Sequence, residues 1–162
     1  MRKLLIFTGS STPDYTKGVL ALQGSLIEKY SIMKTGAQDD CLKISIYTPG
    51  HNSGEAMRQV QKQDGVIFYD PLGISRELAD KCNSLAVTHP DKLIWYIDNG
   101  SSNVFRSIIR RDNNTVLVEE IENPHFLSNK IVEKLFDRAA VSNLSVTGPH
   151  HTTDELCSTP AG

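Results

Sequence analysis

Polar side chains crowd one stretch of the sequence, DGVIFYDPLGISRELADKC, where an apolar run gives way to a helical pattern. Asp70 directly follows the apolar run, Gly73 permits a close turn, and Glu77 falls near the start of the helix. Because the positive end of a helix dipole favours an ionised carboxylate, Glu77 is a candidate nucleophile. The structural alternative is that Ser75 caps the helix and Glu77 simply occupies its first turn.

Loops that follow other apolar runs, such as TGSSTPDY and DNGSSN, combine glycine with serine, threonine or asparagine just before a helical pattern. Such loops direct backbone N–H groups towards an anion at the positive end of a helix. Gly9, Ser10 and Ser11 are therefore candidates for contacting a phosphate. TGSSTPDY matches neither a Walker loop nor a dinucleotide-binding GxGxxG motif, and capped turns are the structural alternative.

These loops must be positioned by the elements on either side, which alternate regularly along the chain. The predicted strands are Lys3 to Thr8, Leu42 to Tyr47, Gly65 to Tyr69, Lys92 to Ile97 and Thr115 to Ile121. The predicted helices are Thr16 to Lys34, Gly54 to Gln63, Ser75 to Val87, Val104 to Arg111, and a last one from Asn123 or Pro124 to Ala140.

Runs such as LLIF, GVIFY and LIWYI are continuously apolar, as expected for strands that helices cover on both faces. The sequence therefore predicts an α/β fold: a single doubly wound, flavodoxin- or Rossmann-like domain with a five-stranded parallel sheet flanked by helices. In such a sheet, ligands bind beyond the carboxyl ends of the strands, which is where the polar loops lie.

A change of composition divides the chain after Ala140. Residues 1–140 form the predicted α/β domain, and residues 141–162, rich in serine, threonine, proline and glycine, are expected to be a flexible tail. The adjacent His150 and His151 in that tail lack the spacing and support of metal ligands, so no metal site is predicted.

The charge and cysteine content narrow the choice of partners and compartment. The 17 Lys and Arg against 19 Asp and Glu give a net charge of -2, so neither a nucleic acid polymer nor a membrane is an expected partner. The apolar run in MRKLLIF is too short for a signal peptide or a membrane span. Cys41, Cys82 and Cys157 are odd in number and widely spaced, which favours reduced thiols in a cytoplasmic protein.

Four segments in this order resemble the nucleoside 2-deoxyribosyltransferase-like family, and within it the 2'-deoxynucleoside 5'-monophosphate N-glycosidases. IFTGSS is similar to the family's first strand and Gly-Ser turn, and MRQVQKQDGVIFY to its helix and Asp-led strand. GISRELADKCNSLA is similar to its Gly-x-x-x-Glu helix start, and VFRSIIRR to its hydrophobic-x-x-[Ile or Met]-Ile-Arg turn. The resemblance spans roughly residues 3–140.

The resemblance implies a small-molecule nucleoside or nucleotide as substrate, no cofactor, and a homodimer, for which the first and fourth helices offer apolar faces. It places on Glu77 the carboxylate that attacks the anomeric carbon and holds the sugar as a covalent glycosyl-enzyme. Water would then give an N-glycosidase, and a second base would give a deoxyribosyltransferase. Ser107 is the rough match to a serine that the family often donates across the dimer interface.

The sequence departs from the family where an acid is expected in the helix before the third strand, because Ala56 stands there. Asp70 is the candidate for the missing carboxylate, and Tyr15 or Tyr69 for the hydroxyl that orients the nucleophile. The turn before Glu77 is also shorter than in the family. The catalytic residues expected are Glu77, Asp70 and Tyr15, and the substrate-binding residues are Gly9, Ser10, Ser11, Tyr69, Gly73, Ser75, Ser107 and Arg110.

Two alternatives remain open at the level of sequence. A TIR-like NAD glycohydrolase shares the five-stranded parallel sheet and a Glu after a middle strand, although YDPLGISRE lacks the small residue and the Trp or Cys usual in TIR loops. A non-catalytic nucleotide sensor would use the same pocket without turnover, and Ala56 at the position of the expected acid favours it.

Overall fold

A computed structural model of the chain describes residues 1–34, 40–48, 53–109, 116–121 and 123–145. The strands are β1 (Arg2–Thr8), β2 (Leu42–Tyr47), β3 (Gly65–Tyr69), β4 (Leu93–Asp98) and β5 (Val116–Glu120). The helices are α1 (Pro13–Met33), α2 (Ser53–Gln59), α3 (Arg76–Thr88) and α4 (Pro124–Ser145). Short 3₁₀ turns occupy Val60–Lys62, Gly100–Ser102 and Arg106–Ile108.

All the strand pairs are parallel, and the strands lie in the order β2-β1-β3-β4-β5. This arrangement confirms the predicted doubly wound α/β fold with a five-stranded parallel sheet. The chain moves from β1 outward to β2 and then returns to the other side of β1, so the strand order reverses between β1 and β3. In open α/β sheets the ligand crevice forms at such a reversal, beyond the carboxyl ends of the strands.

Helices cover both faces of the sheet, which explains the continuously apolar strands. Leu4 and Ile6 of β1 lie in the core that α1 and α4 cover, whereas Leu5 and Phe7 lie in the core that α2 and α3 cover. Successive side chains of a strand point to opposite faces, so a central strand buried on both sides needs apolar residues at every position. Burial of these side chains is the main stabilising contribution to such a fold.

The helix boundaries follow local signals. α1 begins at Pro13, three residues before its predicted start. Proline suits the first helical position because an N–H there has no partner within the helix, and proline has no N–H. Ser75 caps α3, because its Oγ accepts a hydrogen bond from the Leu78 backbone N–H at 3.1 Å. The predicted helix from Val104 to Arg111 is wrong where the structure describes it, since only a 3₁₀ turn forms and Ile109 is already extended.

At the carboxyl end, α4 continues to Ser145, five residues past the predicted end, and residues 146–162 lie outside the described part of the chain. Cys82 is a buried free thiol, as expected. Cys41 is disulfide-bonded, so the expectation of reduced thiols is wrong for that residue. No helix within the described ranges is long and apolar enough to cross a membrane.

Candidate functional site

The reversal of strand order places the ends of β1 and β3 side by side. Gly9 follows β1 and Asp70 follows β3, and the Gly9 backbone N–H donates to the Tyr69 carbonyl at 2.9 Å. The turn from Asp70 to Ser75 then leads into α3, with Glu77 in the first turn of that helix. The stretch singled out in the sequence therefore lies at the position where this fold presents ligands.

Asp70 is fully buried, and its carboxylate organises the turn. One carboxylate oxygen accepts from the Tyr15 hydroxyl, and the two oxygens also accept from the backbone N–H groups of Ile74 at 3.3 Å and Ser75 at 3.0 Å. Desolvation and the neighbouring Asp70 raise the pKa of Tyr15 well above its ordinary value, so the phenol stays protonated as a donor. Asp70 and Tyr15 thus fix the shape of the turn from beneath.

Close packing around this pair explains two glycines that the sequence pattern singled out. A Cβ atom at Gly9 would lie 2.8 Å from the Asp70 carboxylate and 3.2 Å from the Tyr15 ring. Gly73 has a φ of 68°, in the left-handed region that favours glycine, and a Cβ there would lie 2.8 Å from the Asn103 side chain. Gly9 allows β1 to approach the Asp70 and Tyr15 pair closely, and Gly73 allows the tight turn before α3. Neither offers a side chain to a ligand.

Glu77 stands apart from the buried pair. Its side chain is 75% exposed, and its carboxylate lies 3.7 Å from the Lys81 ammonium, one helical turn further along. Asp70 is fully buried, so the two carboxylates predicted to cooperate do not face one solvent-accessible space. Ser75, whose hydroxyl caps α3 and whose N–H binds Asp70, supports the turn as the structural alternative expected.

Lys81 is the neighbour of Glu77 that sequence reasoning missed, although the i, i+4 spacing of glutamate and lysine on a helix is a recognisable signal. Its side chain is only 18% exposed, and its ammonium lies 5.2 Å from the centre of the Phe7 ring. A cation over an aromatic face is held by the ring's negative π cloud. Lys81 therefore keeps a positive charge between the end of β1 and the start of α3.

The remaining predicted residues divide into surface and core groups. Ser10 and Ser11 precede α1, and the Ser10 Oγ accepts from the Thr12 backbone N–H at 3.1 Å. Tyr69 is buried against α1, where a Cβ at Gly18 would clash with its hydroxyl, so its ring faces the core.

Ser107 is exposed in the 3₁₀ turn Arg106–Ile108. That turn is tied to α3, because the Asn83 side-chain amide donates to the Ile108 carbonyl at 2.7 Å. Arg110 lies outside the described residues, so its predicted contact with phosphate stays a prediction.

Apolar side chains line the outer surface of the turn. Leu72 and Ile74 are 52% and 61% exposed, and they immediately precede the capping Ser75. Single exposed apolar residues are common, but these two lie on one short turn that leads into the helix of Glu77. The turn therefore presents apolar surface just before the helix that carries the exposed Glu77.

A second buried carboxylate, Asp98, ends the neighbouring strand β4. It accepts from the Gly100 backbone N–H at 2.8 Å and lies 3.7 Å from the Arg106 guanidinium, which also approaches Glu120 at 3.7 Å. Burial raises the pKa of Asp98, and the hydrogen bond from Gly100 and the charge of Arg106 oppose that rise. This cluster fixes the loop after β4, whose Asn103 packs against the turn at Gly73.

Ala56, at the position of the family's acid, belongs to α2 and is buried in the core that α2 and α3 cover. The neighbouring Glu55 pairs with Arg58 at 2.8 Å, and that hydrogen bond lowers the pKa of Glu55. Within the described residues, no group of three or more His, Cys, Asp or Glu side chains is arranged to hold a metal ion.

The chain is an α/β protein of flavodoxin-like strand order, and Glu77 is an exposed carboxylate beside the edge of the sheet where such folds bind ligands. No family model and no curated protein matches the chain. A solved structure of a putative pilus assembly-related protein from Burkholderia pseudomallei is similar, with a TM-score of 0.52 and 10% sequence identity over 85% of this chain and 91% of that one. At this identity the likeness shows the fold alone.

Proposed function

We propose that the chain binds a nucleoside or nucleotide at the carboxyl edge of β1 and β3 and cleaves its N-glycosidic bond, with Glu77 as the nucleophile. The observation that carries the proposal is the position of Glu77, a largely exposed carboxylate in the first turn of α3 at the reversal of strand order. Its carboxylate lies 3.7 Å from the Lys81 ammonium. An ionised carboxylate is the form that can attack a carbon.

The chemistry requires a carboxylate beneath the anomeric carbon, because positive charge develops on the sugar as the bond to the base breaks. Glu77 Oε forms a bond to the anomeric carbon while the bonding pair leaves with the base, which takes a proton from solvent water. Water hydrolyses the resulting ester, or a second base displaces it. Leu72 and Ile74 offer apolar surface on which the flat base would lie.

A panel of nucleosides, 2'-deoxynucleosides and their 5'-monophosphates, followed by chromatography for the free base, tests turnover. We expect base release by the wild type and none by Glu77→Gln. Asp80→Asn is the matched control, because Asp80 is an exposed carboxylate of the same helix that pairs with Arg76 at 3.7 Å. Equal loss of activity in both variants would contradict a specific role for Glu77.

Binding without turnover is the second candidate, and the burial of Asp70 favours it. Asp70 is occupied by Tyr15 and by the N–H groups of the turn, and Ala56 offers no acid, so neither position supplies a carboxyl group to protonate the leaving base. Saturable binding of a nucleotide, measured by calorimetry on a sample that releases no base, would support this candidate. NAD belongs in the same panel, since its consumption would indicate a TIR-like glycohydrolase.

The homodimer stays a prediction. Of the two helices predicted to offer apolar faces, the fourth, Val104 to Arg111, does not form where the structure describes it. In the first, α1, Leu20 and Ile27 remain about half exposed. Light scattering during size-exclusion chromatography would measure the molar mass directly, and a mass of one chain at all concentrations would contradict the prediction.

A further inference from the structure

The amino-terminal edge of the sheet, opposite the candidate active site, holds a cavity of about 80 Å³. Six polar residues line it: Lys3, Lys43, Ser45, Gln59, Lys62 and Gln63. The first three belong to β1 and β2, and the others to the carboxyl end of α2 and the 3₁₀ turn and residue that follow it. The lining thus combines three positive charges with a hydroxyl and two amides.

The strand register forces two of these charges together. Lys3 and Lys43 are register partners in the parallel pair β1 and β2, so their side chains leave the same face of neighbouring strands. Like charges held at facing positions of a sheet destabilise it unless an opposite charge lies between them. No ion pair of Lys3, Lys43 or Lys62 is found within the described residues.

The surrounding carboxylates compensate only in part. Asp64 accepts a hydrogen bond from the Lys3 backbone N–H at 2.7 Å, which brings one negative charge near the rim. Glu55 is engaged by Arg58, although the charge of Lys62 also lowers its pKa. Lys92 adds a further positive charge at the same edge, and its ammonium donates to the Gln61 and Gln63 carbonyls. The positive charges at this edge therefore outnumber the two carboxylates.

The amides make the cavity a fixed feature of the edge. Gln63 is buried, and its Nε2 donates to the Gln59 carbonyl at 3.2 Å, which holds the amide against the end of α2. Lys92 Nζ binds the Gln63 carbonyl at 2.7 Å and anchors the same segment from the other side. Gln59 and Gln63 are therefore held in place, while Lys43 and Lys62, which also line the cavity, are exposed.

We propose that this cavity binds a compact phosphate-type anion, either free phosphate or the phosphate of a nucleotide. The volume is several times the roughly 10–15 Å³ that a single water needs. An ammonium is a compact point charge that binds phosphate well, and a dianion can satisfy several at once. The site is independent of Glu77, since it lies at the opposite end of the strands.

Calorimetric titration with inorganic phosphate, at constant ionic strength, tests the proposal on the wild type, Lys3→Gln and Lys43→Gln. We expect each substitution to weaken binding by roughly fivefold, because each removes one charge near the anion. Lys29→Gln is the control, since it makes the same charge change on α1, which covers the other face of the sheet, and should leave the affinity unchanged. No saturable binding, or equal weakening in Lys29→Gln, would overturn the proposal.

Nuclear magnetic resonance locates the anion and distinguishes its sources. Inorganic phosphate, a nucleoside 5'-monophosphate and the unphosphorylated nucleoside are titrated separately into ¹⁵N-labelled protein. We expect the two phosphate-bearing probes, and not the nucleoside, to shift the side-chain amides of Gln59 and Gln63. If free phosphate shifts these amides more strongly than the monophosphate does, free phosphate is the ligand. If the monophosphate shifts them more strongly, the ligand is a nucleotide. Shifts confined to the carboxyl edge near Ser10 and Glu77 would overturn the proposal.

Discussion

Replacement of Tyr15 by phenylalanine removes one hydroxyl from the buried pair that shapes the candidate site. The Tyr15 hydroxyl donates to the Asp70 carboxylate and accepts from the Leu72 backbone N–H at 3.3 Å. Hydrogen bonds to charged groups contribute about 1.5–3 kcal/mol, because their loss leaves a charge less well solvated. The N–H groups of Ile74 and Ser75 still bind Asp70 in the variant. We therefore expect a destabilisation of about 2 kcal/mol.

Urea denaturation followed by circular dichroism measures this change as a shift of midpoint at constant slope. For a chain of this length, about 2 kcal/mol corresponds to a fall in melting temperature of about 4–8 °C. Tyr69→Phe is the matched control, since Tyr69 is also buried and burial alone raises its pKa, with no hydrogen bond contributing. A Tyr15→Phe variant no less stable than Tyr69→Phe would refute the assigned role of the Tyr15 and Asp70 pair.

Three further outcomes are expected. Gly73→Ala should destabilise the fold by about 1–3 kcal/mol, since the φ of Gly73 is positive and Asn103 blocks a Cβ. Its control, Gly24→Ala, adds a Cβ in open space on α1 and should stabilise the fold by about 0.5–1 kcal/mol. Equal effects of the two substitutions in urea denaturation would contradict this. The raised pKa of Asp98 means that the native state binds its proton more tightly than the unfolded state does. The stability of the wild type relative to Asp98→Asn should therefore fall as pH rises above 3.8. Urea denaturation that finds a constant or increasing stability difference across that range would contradict this. Native Cys82 should resist iodoacetamide, since burial raises its pKa to about 12, and peptide mass mapping that finds rapid labelling would contradict this.

The sequence pattern was sufficient for the sheet and for most helices because their signals are local. Short apolar runs predict each of the five described strands to within one residue at either end, and the sequence offers Ser75 as a cap. The segment from Val104 failed for a physical reason. Phe105, Ile108 and Ile109 pack into the core beside α3, and the Asn103 side chain accepts from the Phe105 N–H, which favours a tight turn over a helix.

The internal arrangement of the candidate site could be predicted only in part. Glu77 at the start of a helix follows from local spacing, and so does its contact with Lys81. The contact of Asp70 with Tyr15 joins residues 55 apart, and it depends on how α1 packs against the sheet. Sequence spacing carries no such information, so the burial of the Asp70 carboxylate could not be predicted from it.

The rate of base release by wild type and by Glu77→Gln, measured at saturating concentration of the best substrate in the panel, tests the proposed cleavage most directly. Loss of a catalytic nucleophile lowers the rate constant by orders of magnitude, so we expect a decrease of at least about a thousandfold with the fold intact by circular dichroism. Release of base at similar rates by both proteins, or its absence in the wild type across the whole panel, would contradict glycosidic cleavage by Glu77.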